Sequence, residues 1–191
     1  TKNKKDWYFN IKWGDYDINF IKTLDVFDNN RIGGAYMVKV KVGKKVPDFK
    51  AALTKGSEFV LSENLGKNII VYFYPKDNTP GCTMESESFR DHFQSFRSNN
   101  AEIIGVSRDS VQSHEKFIQK YAFPFDLISD EDEKVCRLFD VIKEKNMYGK
   151  KYMGIERSTF IIDVSGILVH EWRKVKVKGH VEEVLKTLEQ M

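Results

Sequence analysis

The sequence predicts an α/β protein with a mixed central sheet covered by helices on both faces. Two runs, at residues 69–75 and 102–107, have the length of strands and are apolar on both faces, which is typical of buried central strands. Between and after them, apolar residues recur at helical spacing. The 191 residues are 41% hydrophobic and 31% charged, which suits one domain with its own core.

The first predicted helix follows the strand at 69–75 and runs from about residue 80 to residue 97. Phe89, Phe93 and Phe96 form its apolar face, and Pro80 falls in its first turn, where a missing N–H is tolerated. Further along the chain we predict, in order, the strand at 102–107, helices at 111–121 and 130–140, a hairpin of strands at 159–163 and 167–172, and an amphipathic helix from residue 180. This order requires helices on both sides of the sheet.

The N-terminal part of the chain follows a different pattern. Residues 7–42 alternate loosely between apolar and polar and predict two or three strands, and residues 57–67 suggest a short strand and a turn.

Composition and charge exclude several classes of protein. The net charge is only +3, whereas a dedicated nucleic-acid-binding protein usually has a larger net positive charge. No apolar run approaches the ~20 residues that cross a bilayer. Two cysteines are too few for a secreted disulfide scaffold and indicate a reducing compartment. The chain begins at Thr1 without a visible signal peptide, so we expect a trimmed N-terminus and a cytoplasmic or nuclear location.

Cys82 stands in the first turn of the helix that follows the strand at 69–75. The positive end of a helix stabilises a thiolate, but a free thiol of pKa ~8.5 is already about 7% ionised at pH ~7.4, so full ionisation gains only about 14-fold. Efficient catalysis would therefore need a second, fixed cation near the sulfur. From spacing alone, a buried structural cysteine is an equal alternative. The absence of a Cys-x-x-Cys pair disfavours disulfide exchange, and the isolation of this cysteine from histidine disfavours a metal site.

The string Pro75-x-x-x-Thr79-x-x-Cys82 resembles the active-site signature of the peroxiredoxins. The longer stretch FYPKDNTPGCTMES resembles the PrxQ group, also called bacterioferritin-comigratory proteins, and GVSRDS and KYMGIERSTFIID fit the same group. The resemblance covers residues 42–191 and implies a thioredoxin-like fold. It also implies thiol-dependent reduction of hydrogen peroxide and alkyl hydroperoxides in antioxidant defence, without metal or cofactor. Residues 1–41 would then be a β-rich extension. This extension would add a hairpin to the edge of the sheet, contact a partner, or form a loosely ordered arm.

The resemblance also assigns roles to individual residues. Cys82 would be the peroxidatic cysteine, Thr79 would hydrogen-bond the peroxide, and Pro75 would shield the sulfur from water. Arg157 would support the thiolate and the peroxide, which makes it the distant cation. Glu85 is given a supporting role, pairing with an arginine. Tyr74 precedes the active-site loop and is expected to line the peroxide pocket.

The chain departs from the PrxQ pattern at the resolving cysteine. Many members carry that cysteine five residues after the first, where this chain has Glu87. Cys136 is the other cysteine; we interpret it as structural, with a resolving role after local unfolding left open. We therefore predict a one-cysteine cycle in which thioredoxin, glutaredoxin or glutathione attacks the sulfenic acid directly.

A second hypothesis is a non-catalytic binding or chaperone-like protein on the same scaffold. Trp7 and Trp13 lie among lysines and could contact nucleic acid, but neighbouring aspartates dilute the charge, so this partner is disfavoured.

We expect a monomer or weak dimer without membrane contact. His114 and His180, near predicted helix starts, are expected to have surface or capping roles.

Overall fold

The computed structural model describes residues 39–147 and 149–191. The described strands are β1 Lys50–Leu53, β2 Glu58–Val60, β3 Asn68–Phe73, β4 Ala101–Ser107, β5 Leu127–Ser129, β6 Ile142–Met147, β7 Lys150–Ile155, β8 Ser158–Ile162 and β9 Leu168–Trp172. The helices are α1 Pro80–Asp91, α2 Phe93–Ser98, α3 Val111–Tyr121, α4 Lys134–Leu138 and α5 His180–Glu189. The strands predicted within residues 1–38 and the two tryptophans, Trp7 and Trp13, lie outside the described residues.

Seven of these strands form one mixed sheet in the order β2-β1-β5-β4-β3-β8-β9. The three central strands β5, β4 and β3 run parallel, and the remaining neighbours pair antiparallel. Among the described strands, β6 and β7 pair with each other alone, as an antiparallel hairpin. The predicted mixed α/β sheet is therefore confirmed.

β3 divides the core into two clusters. Ile69, Val71 and Phe73 face one cluster, and the alternate residues of the strand face the other, because successive side chains of a strand point to opposite faces. We call the cluster with Phe89 of α1 the α1-side core; α3 and α5 also contribute to it. The cluster with Val135 of α4 is the α4-side core. Both faces of the sheet are thus buried.

Tyr72 ties β3 to α1. Its ring is fully buried and stacks on Phe89 at a centroid distance of 4.5 Å, and its hydroxyl lies 2.9 Å from the hydroxyl of Ser86. Gly105 of β4 makes room for it, since a Cβ there would lie 2.7 Å from the Tyr72 ring and 2.6 Å from Leu127. The close approach of strand and ring fixes α1 against the sheet.

The structure corrects some sequence predictions. The prediction of one continuous helix at 80–97 was wrong. The helix is interrupted at His92, which separates α1 from α2 and whose ring Nδ1 lies 2.9 Å from the Ser88 carbonyl oxygen. β1, β5 and the hairpin of β6 and β7 were not predicted. β1 and β5 are only four and three residues long, and β7 begins with exposed charged residues. Such segments carry little hydrophobic pattern.

Candidate active site

Cys82 is the third residue of α1, directly after the loop that leaves the end of β3. Pro80 occupies the first turn, where its fixed φ suits a helix start. The residue is 1% exposed and packs in the α1-side core. The sulfur therefore lies at the positive end of a helix and is shielded from bulk water.

Arg157 reaches the same sulfur from the connection between β7 and β8. Its Nη2 lies 3.3 Å from Cys82 Sγ, and its Nη1 donates to the carboxylate of Glu85. Gly81 lies beside the guanidinium, and a Cβ at that position would be 3.4 Å from Nη2, an ordinary contact distance. The Arg157 backbone carbonyl accepts a hydrogen bond of 3.0 Å from the Val175 amide, which holds this connection in place. The structure thus brings a cation to the thiol.

Glu85 lies one turn further along α1 and is fully buried. Burial raises the pKa of Glu85 to about 7, although the charge and hydrogen bond of Arg157 act in the opposite direction. Burial alone would lower the pKa of Arg157, but Glu85 and Cys82 outweigh this and raise it. Within the described part of the chain, Glu85 Oε1 has no hydrogen-bond partner.

Thr79 and Pro75 lie in the loop between β3 and α1. The Thr79 hydroxyl donates a hydrogen bond of 3.0 Å to the Lys76 carbonyl, and the Thr79 carbonyl accepts one of 2.9 Å from the Thr83 amide. Pro75 directly follows Tyr74 and is half-buried. Their assigned roles toward a peroxide stay predictions.

A polar cluster, which we call the loop latch, joins this loop to α3 and consists of the buried Tyr74, Asp77 and His114 and the half-buried Ser113. The Tyr74 and Ser113 hydroxyls donate to the Asp77 carboxylate at 2.8 and 2.7 Å. His114 Nδ1 lies 2.9 Å from the same carboxylate, and Nε2 lies 3.1 Å from the Ile128 carbonyl oxygen. The Asp77 carboxylate and the Ile128 carbonyl oxygen of β5 thus hold the His114 ring between them.

The loop latch changes two expectations. His114 is fully buried and His180 nearly so, and the prediction of surface roles for them was wrong because their partners come from distant parts of the chain. Burial raises the pKa of Tyr74 well above its ordinary value, so its hydroxyl stays a donor to Asp77. The expectation that Tyr74 lines a peroxide pocket stays a prediction.

Removing His114 from this cluster should be costly. We expect His114→Ala to lower the free energy of unfolding by about 3 kcal/mol, because the buried Asp77 side chain and the Ile128 carbonyl oxygen would each lose a hydrogen-bond partner. Denaturant unfolding measures the effect. The matched control is His92→Ala, at a half-buried histidine without a carboxylate partner among the described residues, where we expect about 1 kcal/mol or less. Equal losses in the two variants would contradict a stabilising role of the His114 hydrogen bonds.

Cys136 lies in α4 and is fully buried in the α4-side core. Burial, followed by the charge of Asp130, raises the pKa of its thiol far above the ordinary value. Its amide donates a 2.7 Å hydrogen bond to Asp130, which anchors the start of the helix. The two cysteines therefore belong to cores on opposite faces of the sheet.

Comparison with known proteins identifies the chain. The profile of the AhpC/TSA family matches residues 42–171. The chain belongs to the AhpC/TSA family. It is 52% identical over 152 residues to peroxiredoxin Bcp of Bacillus subtilis, covering 80% of this chain and 97% of that protein. It is 52% identical over 141 residues to peroxiredoxin Bcp of Xanthomonas campestris, covering 74% and 88%.

Solved structures of AhpC/TSA proteins agree with this assignment. The bacterioferritin-comigratory protein of Xanthomonas campestris, described for its alkyl peroxide reduction activity, has a TM-score of 0.72 and 50% identity, covering 74% of this chain and 90% of that one. Peroxiredoxin Q of the same organism has a TM-score of 0.74 and 47% identity, covering 81% and 98%. The predicted thioredoxin-like fold and the PrxQ resemblance are confirmed. The chain is a peroxiredoxin enzyme, a thiol peroxidase.

Within residues 39–147 and 149–191, no group of three or more His, Cys, Asp or Glu side chains could hold a metal ion. None of the helices described here combines the length and the apolar character needed to span a bilayer.

Proposed function

We propose that Cys82 is the peroxidatic cysteine of this enzyme and attacks the terminal oxygen of a hydroperoxide. The observation that carries the proposal is the guanidinium Nη2 of Arg157, 3.3 Å from the Cys82 sulfur at the start of α1. A cation and a helix end both favour the thiolate, and donors fixed near the sulfur can stabilise charge that develops in the transition state.

The remaining residues of the loop would complete the site around the peroxide. Arg157 and backbone N–H groups at the start of α1 stabilise the leaving hydroxide or alkoxide. Thr79 directs the peroxide through its hydroxyl, after exchanging the bond to the Lys76 carbonyl. Pro75 shields the sulfur from water. The product is a Cys82 sulfenic acid, the first reversible stage of cysteine oxidation.

We further propose a one-cysteine cycle. The position five residues after Cys82 holds Glu87, which cannot form a disulfide. Cys136 lies in the core on the other face of the sheet, and burial and the Asp130 charge keep it as a thiol, which makes it a poor nucleophile. An external thiol, from thioredoxin, glutaredoxin or glutathione, therefore attacks the sulfenic acid and resets the enzyme.

The substrates that we propose are hydrogen peroxide and alkyl hydroperoxides. The Xanthomonas campestris relative, at 50% identity, is described for alkyl peroxide reduction, which supports the alkyl class here. The reaction needs only the terminal O–O group, so both classes fit one mechanism.

Mass spectrometry after one equivalent of hydrogen peroxide tests the cycle. With dimedone present, the adduct is expected on Cys82; with glutathione present, a mixed disulfide is expected on Cys82, because Cys136 lies in the core on the other face of the sheet. Cys136 should remain a free thiol in both samples and serves as the internal control. An intramolecular disulfide between Cys82 and Cys136 at high yield would contradict the one-cysteine cycle.

A further inference from the structure

One guanidinium serves two buried acids at the start of α1. Arg157 contacts the Cys82 sulfur through Nη2 and the Glu85 carboxylate through Nη1. The two acids are three residues apart, which places their side chains on one face of the helix. Cys82 is 1% exposed and Glu85 fully buried, so solvent screens neither of them.

The charges at this site do not balance when both acids are ionised. A thiolate and a carboxylate beside a single guanidinium leave one net negative charge in the α1-side core, and burying an uncompensated charge is costly. A thiolate at Cys82 and a carboxylate at Glu85 therefore compete for the single guanidinium.

The second oxygen of Glu85 shows which group takes the proton. Oε1 is buried and has no hydrogen-bond donor among the described residues, while Oε2 binds Arg157. A proton on Oε1 removes the charge from that oxygen and leaves the contact of Oε2 with Arg157 in place. Burial raises the pKa of Glu85 to about 7, so this proton can be held or released near neutrality.

We propose that Glu85 stores the proton that leaves Cys82 and returns it to the leaving group of the peroxide. This inference rests on the proposed role of Cys82. In the first step, the thiol proton moves from Sγ to Oε1, which gives a thiolate and a neutral carboxylic acid. In the second step, the thiolate forms a bond to the terminal oxygen of ROOH, the O–O bond breaks, and RO⁻ leaves. In the third step, the carboxylic acid gives its proton to RO⁻, which yields ROH and restores the carboxylate.

The sulfur loses two electrons and the peroxide gains them, so the three steps balance without another reactant. The site begins with one proton shared by Cys82 and Glu85 and ends with a sulfenic acid and an ionised Glu85 paired with Arg157. The released hydroxide or alkoxide is therefore neutralised inside the buried site.

The neighbouring titratable groups have other partners. The Tyr72 hydroxyl on β3 pairs with Ser86, and burial raises the pKa of Tyr72 well above its ordinary value. Lys145 on β6 donates its ammonium group to the Ile155 carbonyl. On α5, His180 Nε2 lies 2.7 Å from the Thr159 hydroxyl, and burial lowers the pKa of His180 to about 4. Near neutral pH, Tyr72 and His180 therefore keep one protonation state. Burial lowers the pKa of Lys145 below its ordinary value.

The pH profile of the first oxidation step separates proton storage from a purely positioning role. In the wild-type enzyme, the rate of Cys82 oxidation by one equivalent of hydrogen peroxide should pass through a maximum, because Glu85 loses the stored proton at alkaline pH. Glu85→Gln keeps an oxygen for Arg157 but cannot store a proton. We expect it to react about 10²-fold more slowly near pH ~7, with no decline on the alkaline side.

Glu87→Gln is the matched control, since Glu87 lies on the same helix but pairs with Arg90 at the surface. Its profile should equal that of the wild type. If Glu85→Gln lowered the rate by one factor at every pH, Glu85 would only position Arg157 and the proposal would be overturned.

Infrared difference spectroscopy of the reduced and peroxide-treated enzyme tests the proposal without relying on the fold of a variant. The C=O band of a carboxylic acid should disappear on oxidation of the wild type and of Glu87→Gln, and no such change should occur in Glu85→Gln. An unchanged carboxylic acid region in the wild type would overturn proton storage. If dimedone labels Cys82 in that same sample, the peroxidatic role of Cys82 stands regardless; without labelling, the proposed function itself fails.

Discussion

Replacing Cys82 by serine is expected to abolish peroxide consumption. A serine hydroxyl is hardly ionised near neutral pH and cannot be oxidised to a sulfenic acid, so neither the nucleophile nor the intermediate forms. Serine is close to cysteine in size and can occupy the same buried position beside Arg157. The measurement is the rate of peroxide consumption with an excess of external thiol. In Cys82→Ser, this rate should equal that of the thiol without enzyme.

Cys136→Ser is the matched control for this prediction. Cys136 lies on the opposite face of the sheet and takes no part in the proposed cycle, so its removal should leave the rate within about twofold of the wild type once folding has been verified. Loss of activity in Cys136→Ser, with a normal unfolding transition, would show that the second thiol takes part. Activity that survives in Cys82→Ser would contradict the site.

Replacing Arg157 by glutamine is expected to slow Cys82 oxidation by about 10²- to 10³-fold. Removing one preorganised donor from the position where charge develops typically costs this much. The present geometry places one guanidinium nitrogen on Cys82 and the other on Glu85, so the variant loses both contacts at once. Stopped-flow measurement of the first oxidation step gives the rate without interference from the reductant.

Arg157→Lys separates charge from geometry. A lysine keeps the positive charge, but its ammonium is a point charge without the planar fork that reaches two partners in parallel. We therefore expect Arg157→Lys to oxidise Cys82 at a rate between those of the wild type and Arg157→Gln. Equal rates for the lysine variant and the wild type would show that charge alone is sufficient. Thermal unfolding of both variants checks the fold, since Arg157→Gln leaves Glu85 buried without its cation.

The local features of the active site could be predicted from the sequence. The apolar run of β3 and the following Pro80 place Cys82 at a helix start, because strand and helix patterns depend on neighbouring residues. The segments around Pro75, Thr79, Cys82 and Arg157 were sufficient to indicate the peroxiredoxin family. The same local reasoning missed the short strand β5 and the hairpin of β6 and β7, whose few or exposed residues carry little pattern.

The sequence by itself determined the fold class, the nucleophile candidate and the absence of a nearby second cysteine. The family resemblance had already named Arg157 as the cation near Cys82, but only the tertiary structure decided the geometry of that contact and the other distant partners. The Arg157 guanidinium joins Cys82 to Glu85, His114 reaches Asp77 across 37 residues of chain, and Cys136 is separated from Cys82 by the sheet. Such pairings depend on how strands and helices pack in three dimensions, and the periodicity of a single segment does not record its partners.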